Sequence, residues 1–595
     1  MNRWYRLFFG VFGALAVLTP WASVAQAQTS GYSTLEQSVI AQRLAERKLV
    51  LEPEPEGKLI EDIQIATMDV FDERDPMPDL VNILHMTTRQ RVVRRELLFE
   101  LGSRYEARLA AESARNLRSL VQLSIVLIVT AQGSTPDRVR VLVITKDVWS
   151  LRLNWSLQSS NGQINSLVLN PSEENLLGLH ATVSALFVLD PASYSLGFTL
   201  GHRRLGGSHV QAGLAASLIK NRATDENEGS FGELRYGQPL YSLDTEWSWA
   251  TAVLWRHDIE RRFHGIDVAS YDARATAQND RIPVAYNRDL LYGGYQLVRS
   301  FGRRFKNDLS FGVEAARYEY GTPNLSAYNR LAVAEFARAE LPVSDQRVSP
   351  FVQLHAHRTD YNSLLDVETL GLQEDFRRGH DLLLRLYPAS EAIGSTRTML
   401  GSLAILSYTV PIGDGLIRPL LGSRLEYGSR GRDDALFEGD LRFVSPRLGF
   451  GRLVIDGKYL DHARNYLNDR FVLGGENRMR GYAVGAFRGT NLVAASGELR
   501  STSIDILSAQ VGAAAFYDVG DAYDDVRKLL LKQDAGVGLR VLFPEFDRIV
   551  FRADWAFPLT RGLGYSAFPG AFFVSFAQAF TMPQIAVPSV LTQTL

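Results

Sequence analysis

From Val148 to Phe580 the chain runs in segments of about ten residues whose apolar and polar positions alternate, the length and two-residue period of a tilted strand crossing an outer membrane. Five segments carry the pattern. In Leu243 to Trp255, Leu243, Trp247, Trp249, Val253 and Trp255 share a face, while Asp244, Glu246, Ser248 and the following Arg256 share the other. Ser208 to Leu218 sends Val210, Ala212, Leu214, Ala216 and Leu218 outward and His209, Gln211, Gly213 and Ser217 inward. Gln510 to Gly520 opposes Val511, Ala513, Ala515, Tyr517 and Val519 to Gln510, Gly512, Phe516 and Asp518. Asp534 to Phe543 and Asp547 to Phe557 repeat the alternation, placing Asp534, Arg540, Arg548, Arg552 and Asp554 on the polar face. A soluble sandwich alternates as well, but repetition with large aromatics near the segment ends favours a barrel whose outer face meets lipid.

Counting back from the C-terminus, strands fall at Phe572 to Phe580, Asp547 to Phe557, Asp534 to Phe543, Gln510 to Val519 and Asn491 to Arg500, so five follow Tyr482. Roughly eleven to fourteen candidates precede it, and an even total of about sixteen is the expectation for a single-chain bacterial barrel. Before Val148 the period changes. Ser33 with Glu36 forms a capping box, and Leu35, Val39, Ile40 and Leu44 recur at helical spacing up to Leu49. This helix reads as solvated and exposed, with pore plugging or docking as the alternative. The Leu51-Glu52-Pro53-Glu54-Pro55-Glu56-Gly57 stretch is a semi-stiff linker, because each proline fixes φ and removes a donor. Next come a strand (Leu59 to Ile65), a helix (Arg89 to Leu101) with Val93, Leu97 and Leu101 on one face and Gly102 as its C-cap, and a second helix (Ala107 to Leu120). Strands at Ser124 to Ala131 and Arg138 to Thr145 complete a βααββ unit.

The extreme N-terminus changes the picture of where this happens. Arg3 and Arg6 precede an apolar run from Leu7 to Leu18, and Ala25-Gln26-Ala27 has the small residues that a signal peptidase requires. The run is too short to cross a bilayer core of roughly 30 Å as a helix, so a cleaved leader and a mature chain beginning near Gln28 are expected. The expected division is residues 1–27 leader, 28–57 helix and linker, 58–147 βααββ unit, 148–580 barrel and 581–595 C-terminal extension. The 64 basic and 66 acidic residues give a net charge of −2. Losing Arg3 and Arg6 leaves about −4, without the basic field that would draw nucleic acid. With no cysteine, the chain uses neither a disulfide framework nor a thiolate metal site.

The sharpest local signal is Arg470 to Tyr482, RFVLGGENRMRGY, in which Gly474 and Gly475 and then Arg480-Gly481-Tyr482 flank a short polar segment. Downstream lies Phe516-Tyr517-Asp518-Val519-Gly520, where parity independently turns Asp518 inward. Together these resemble the lumen-loop motif and the Phe-x-Asp-x-Gly strand motif of the BamA/TamA/FhaC outer-membrane assembly and secretion superfamily, with Met479 where a valine is usual. The likeness runs from about Lys58 to Phe580. It includes the βααββ unit, which with Gly102-Ser103-Arg104-Tyr105 is similar to a POTRA domain, although the loop from Ala66 to Thr87 is long for one. The resemblance implies that the loop folds into the lumen and that Arg480 pairs with Asp518, with Glu498 and Asp554 as inward-facing partners that share or replace it. The physical requirement is that a buried guanidinium meets carboxylates in a planar fork, with glycine beside it for the turn.

The resemblance further implies an assembly or translocation factor. Extended clients, unfolded outer-membrane or secreted proteins, would be captured by strand addition at Arg138 to Thr145. They would then pass through a seam between Val148 to Leu157 and Phe572 to Phe580, with Phe572, Phe576 and Phe580 on the terminal strand. The bilayer, lipopolysaccharide and periplasmic or inner-membrane accessory proteins are the other expected partners. Departures from the family are Gln578 and Ser575 in the terminal signal and the tail after Phe580. A two-partner secretion pore, with the first helix as plug, and a passive porin are the alternatives. Enzyme, cofactor and metal signatures do not survive comparison with chance. His355-Ala356-His357 lacks an evident carboxylate and reads as lumen lining, and Ser217-Leu218-Ile219-Lys220 lacks its companion motifs.

Overall fold

A computed structural model describes residues 32, 34–68, 70, 87–160, 162–264, 266–475, 478–507, 509–546, 548–561, 563 and 568–576. The expected leader, Ser33, most of the 66–87 loop, Phe580 and the C-terminal extension lie outside the described residues.

Alternation in the sequence becomes a closed antiparallel barrel of twenty strands, from Leu151–Ser160 to Ala571–Phe576. The count of about sixteen is therefore corrected. Five strands follow Tyr482, as the alternation indicates, so the missing ones are earlier. There the strand Asn227–Gln238 is rich in serine, glycine and glutamate, which leaves little apolar contrast to count. Leu151–Ser160 and Gln163–Glu173 also follow one another across Gly162, whose φ of 75° closes a tight turn. Where contrast is strong, parity holds. Tyr517, Val537 and Trp555 are exposed on the outer wall, while Asp518, Arg540, Arg552 and Asp554 are buried inside. Leu243, Asp244 and Glu246 instead precede the strand, which begins at Trp247.

The N-terminal unit is a three-stranded sheet. Leu59–Met68 runs parallel to Arg138–Asp147, and Leu123–Gln132 runs antiparallel to it on the other side. Arg138–Asp147 is thus the central strand and has no open edge, which overturns its assignment as the site of strand addition. Helix Ala107–Arg118 lays Ala110, Ala114 and Leu117 on one face of the sheet. The other predicted helix is only Gln90–Arg95. Val93 and Leu97 pack inward, but Leu101 is 63% exposed, so the helical period does not extend to Gly102. The N-terminal helix, Thr34–Glu46, is not solvated all round. Val39, Ile40 and Leu44 cover the second face of the sheet together with Leu370, Leu372, Leu542 and Val550 from the barrel rim.

This shared core docks the unit onto the barrel, and polar contacts fix its position. Arg118 meets Asp375 at 2.5 Å, and Arg204 meets Glu96 at 2.6 Å. Arg548 donates to the carbonyls of Ser124 (2.5 Å) and Gln373 (2.6 Å), tying the sheet to a hairpin formed by Tyr361–Leu365 and Gln373–Arg377. That hairpin turns into the lumen, where Arg452 and Arg500 donate to Leu365 O at 2.9 Å and Val367 O at 2.6 Å. At the opposite rim, helix Arg330–Glu340 packs over Ile282 and Val284, and Arg488 pairs with its Glu340.

His180 sits in the docking contact, buried and 3.0 Å from the Thr88 hydroxyl. Burial pulls its pKa down from 6.5 to about 4, outweighing Asp147 and Glu96, which favour the charged ring. The unfolded ring binds the proton more readily, so stability is intact above pH 6.5 and falls as the pH drops towards 4. Limited proteolysis between the sheet and the barrel should accelerate from pH 7.5 to pH 5, and His180→Gln should flatten that dependence. An identical pH profile in the variant would remove His180 from the docking contact.

Candidate functional site

The segment between the strands Gly451–Asn465 and Asn491–Ser501 builds the site. It leaves the rim as a small hairpin, Phe471–Leu473 paired with Phe487–Gly489, and then folds into the lumen. Gly474 and Gly475 make the turn at φ 119° and 104°. A Cβ on Gly474 would stand 2.4 Å from Ala483 O, so glycine is required there. Met479 is buried at φ 59°, a conformation that penalises a β-branched residue such as the valine expected by resemblance.

Arg480 is wholly buried. Its Nε and Nη2 donate to the two oxygens of Asp518, each at 2.9 Å, in a fork-to-fork pair, and its backbone N–H donates to Asp518 Oδ2 at 3.2 Å. Nη1 reaches Glu498 at 2.6 Å and Asp554 at 3.4 Å, and Nη2 reaches Ser496 Oγ at 3.2 Å. The guanidinium lies 3.3 Å from the ring centre of Phe516, an aromatic face under a cation in a water-poor setting. Register explains why these groups converge. Ser496 stands opposite Asp518, and Glu498 opposite Phe516, on neighbouring strands whose inward faces line the lumen.

The remaining expected residues support the turn. A Cβ on Gly481 would fall 2.5 Å from Asp534 Cβ and 3.0 Å from Pro558 N, and one on Gly520 would meet Val493 O at 2.7 Å. Tyr482 donates its hydroxyl to Gln533 O at 2.8 Å and packs edge-on against Phe487. Sequence reasoning missed the cations around the pair. Arg500 donates to Glu498 (2.8 Å), and Arg540 bridges Asp554 (2.6 Å) and Glu498 (3.2 Å). Arg552 lies 3.7 Å from Asp554 and donates to Ser575 Oγ at 3.1 Å. Parity had turned Arg540 and Arg552 inward, which was the available signal. Arginines 480, 500, 540 and 552 thus share the lumen with the carboxylates of Glu498, Asp518, Asp534 and Asp554. A chain of ion pairs and hydrogen bonds among them runs from the loop to the last strand.

Phe572 pairs with Ser159 across the seam, and Phe576 packs on Phe551 with ring centres 5.6 Å apart. Among the described residues the seam ladder spans only Ala571 to Val574 against Leu157 to Ser160. Ser217 and Lys220 are three apart on one strand and therefore face opposite ways, and Lys220 is bound to Asp225 at 2.9 Å. His355 and His357 do have carboxylate neighbours, Asp308 and Asp381, brought in from adjacent strands.

A family model described as the Omp85 superfamily domain matches residues 232–568. The search of curated proteins finds no match. Among solved structures, BamA from Haemophilus ducreyi lacking POTRA domains 1–3 is 13% identical, with 92% of this chain and 94% of that one covered and a TM-score of 0.36. CdiB from Acinetobacter baumannii is 10% identical, with coverage of 91% and 97% and a TM-score of 0.41. CdiB from Escherichia coli is 13% identical, with coverage of 94% and 93% and a TM-score of 0.41.

Removing the guanidinium leaves buried carboxylates without their counterion, so Arg480→Ala should lower barrel stability by about 3–5 kcal/mol. Urea unfolding in lipid vesicles reads this directly. Arg480→Lys keeps the charge but loses the planar fork and should recover only part of the loss. Equal stability of Arg480→Ala and the parent would show that the ion cluster does not hold the loop.

Proposed function

The chain belongs to the Omp85 superfamily, and from that premise we propose that it is an outer-membrane assembly or translocation factor, acting without catalysis, whose lumen loop is coupled to a lateral seam. The observation that carries this reading is the ion chain itself. It starts at Arg480 on the loop, passes through Glu498, Arg540, Asp554 and Arg552, and ends at Ser575 on the terminal strand. A change in the loop alters the charge balance beside the seam, and among the described residues the seam has a ladder of only four residue pairs with which to resist. Fewer backbone hydrogen bonds between first and last strands mean a smaller cost of parting them.

In this reading the N-terminal unit is a POTRA-like periplasmic domain. Clients, unfolded outer-membrane or secreted proteins, add a strand along the outer edge of Leu123–Gln132 rather than the central strand. That edge already accepts an extended segment of the chain's own linker. Glu52 N donates to Thr130 O, Gln132 N donates to Val50 O, and Leu51 stands opposite Ala131. Backbone pairing of this kind tolerates varied client side chains. The exposed apolar outer wall meets the bilayer, with lipopolysaccharide at the far rim, and periplasmic or inner-membrane accessory proteins would deliver the client.

The test is the folding rate of an unfolded outer-membrane protein added to liposomes holding this protein. Wild type should accelerate folding several-fold and Arg480→Ala should not. A Ser159→Cys, Phe572→Cys pair, placed opposite each other in the register, should be active when reduced and inactive when oxidised. The chain has no other cysteine. Undiminished activity of the oxidised pair would eliminate the lateral gate. No acceleration by wild type, with robust ion conductance, would favour a secretion pore or a passive porin instead.

The burial of Val39, Ile40 and Leu44 against the barrel rim gives the secretion reading one observation of its own. If the helix is a plug, deleting residues 34–46 should raise single-channel conductance. Unchanged conductance would leave it as a docking element.

A further inference from the structure

Three neighbouring strands bring donor groups together at the rim beside the N-terminal unit. Asp308 comes from Phe305–Gly321, His355 and His357 from Asp345–Arg358, and Asp381 from Gly379–Ala389. The two histidines are two apart and so share a face, Asp308 stands opposite His355, and Asp381 stands opposite His357. All four are buried. Neither the lumen loop nor the seam uses them.

The arrangement has an inner and an outer ring. His355 Nε2 is 2.7 Å from Asp381 Oδ1, a contact that a proton on Nε2 satisfies, and its Nδ1 faces Asp308 Oδ2 3.7 Å away. His357 Nδ1 lies 3.9 Å from the same oxygen, and this buried nitrogen makes no hydrogen bond. Ser300 donates to the other oxygen of Asp308. Asp308, His355 and His357 each offer one ligand atom, and these atoms all lie within 4.8 Å of one another. Those separations are too long for hydrogen bonds. The two separations from Asp308, 3.7 and 3.9 Å, exceed by a few tenths of an ångström the roughly 3.3–3.4 Å edge of a tetrahedron whose centre is about 2.0–2.1 Å from each ligand.

We infer that Asp308, His355 and His357 form a binding site for a divalent transition metal of the zinc class, with Asp381 and Ser300 orienting the ligands from outside. Two imidazoles and one carboxylate select such an ion over calcium or magnesium, which prefer oxygen-only sets. A carboxylate on the far nitrogen of a ligating histidine is the usual device for fixing its tautomer and raising its basicity. Nearby cations are turned away from the centre. Lys306 donates to Leu243 O at 2.5 Å, and Arg377 lies 3.3 Å from the outer oxygen of Asp381. The fourth position opens towards a cavity of about 540 Å³ between the rim and helix Ala107–Arg118, so water completes the coordination. Bound metal would cross-link two adjacent strands at the docking rim.

The experiment uses full-length protein without a polyhistidine tag, stripped with chelator in detergent and titrated with Zn²⁺ and with Co²⁺. One tight equivalent is expected, with the visible absorption of four-coordinate cobalt and an absorption-edge spectrum showing two imidazoles and oxygen. His357→Gln should abolish that equivalent, and Asp381→Asn, which keeps every ligand, should weaken it about 10–100-fold. Heat-modifiable mobility on gels checks that each variant is folded. Should His357→Gln fail to fold, the wild type alone decides through zinc protection of His355 and His357 from diethylpyrocarbonate. Absence of a stoichiometric ion, binding unaltered in folded His357→Gln, or no protection of these two histidines would overturn the site.

Discussion

A guanidinium with no exposed surface, held in the middle of a membrane barrel, is the constraint from which the rest of this architecture follows. Taking one charge out of water costs several kcal/mol after relaxation, and only close, well-aligned counterions repay it. Asp518 supplies the fork, Glu498 and Asp554 the flanks and Phe516 the floor. Each carboxylate is itself buried and needs a cation, so Arg500, Arg540 and Arg552 are drawn in. The site is thus a lattice of alternating charge spread over consecutive strands, and no pair within it can be moved alone.

Barrel size makes such filling necessary. Diameter grows with strand number, and closed barrels of sixteen to eighteen strands already leave an aqueous channel. A barrel of twenty strands needs inserted chain if its lumen is not to be an open pore. From one rim the loop around Arg480 enters, braced by helix Arg330–Glu340 through Arg488, Arg470 and Asn468. From the other rim the Tyr361–Arg377 hairpin turns inward and is held by Arg452 and Arg500. Arg500 therefore links both insertions, donating to Glu498, which also accepts from Arg480 of the loop, and to Val367 of the hairpin. The N-terminal sheet leans on that same hairpin through Arg118 and Arg548.

How much of this was legible depended on whether the information was local. Arg480-Gly481-Tyr482 and Asp518 could be read because a glycine turn and strand parity are both short-range rules, and parity also turned Arg540 and Arg552 inward. The strand total was not legible. Asn227–Gln238 places Ser230 and Gly232 on the same outer face as Leu234 and Tyr236, because lipid-facing glycine and serine need only fit and need not be strongly apolar. The role of the Leu364–Phe376 region was hidden for another reason. Its partners, Leu416, Val444 and Val454, lie far along the chain, and nothing in its own sequence distinguishes a lumen insert from a surface turn. Sheet order failed likewise. Two strands adjacent in sequence pair, but only the parallel return of Leu59–Met68 makes Arg138–Asp147 central.

In the proposed reading the loop and the seam belong to one mechanical system. A seam is weak when its ladder is short, yet a weak seam in hydrocarbon is dangerous, because each unpaired backbone group there costs several kcal/mol. Something other than the ladder must hold it closed at rest. The described ladder ends at Val574, and the next residue, Ser575, is the one that Arg552 grips from the lumen side. Side-chain charge on the inner wall thereby supplements backbone pairing where the described pairing ends. A latch made of ions can be released by rearranging partners within a fixed charge balance, whereas a hydrogen-bonded ladder must be broken bond by bond. In the proposed reading, Arg480 at the other end of that latch would couple the seam to a loop that a client in the lumen would meet.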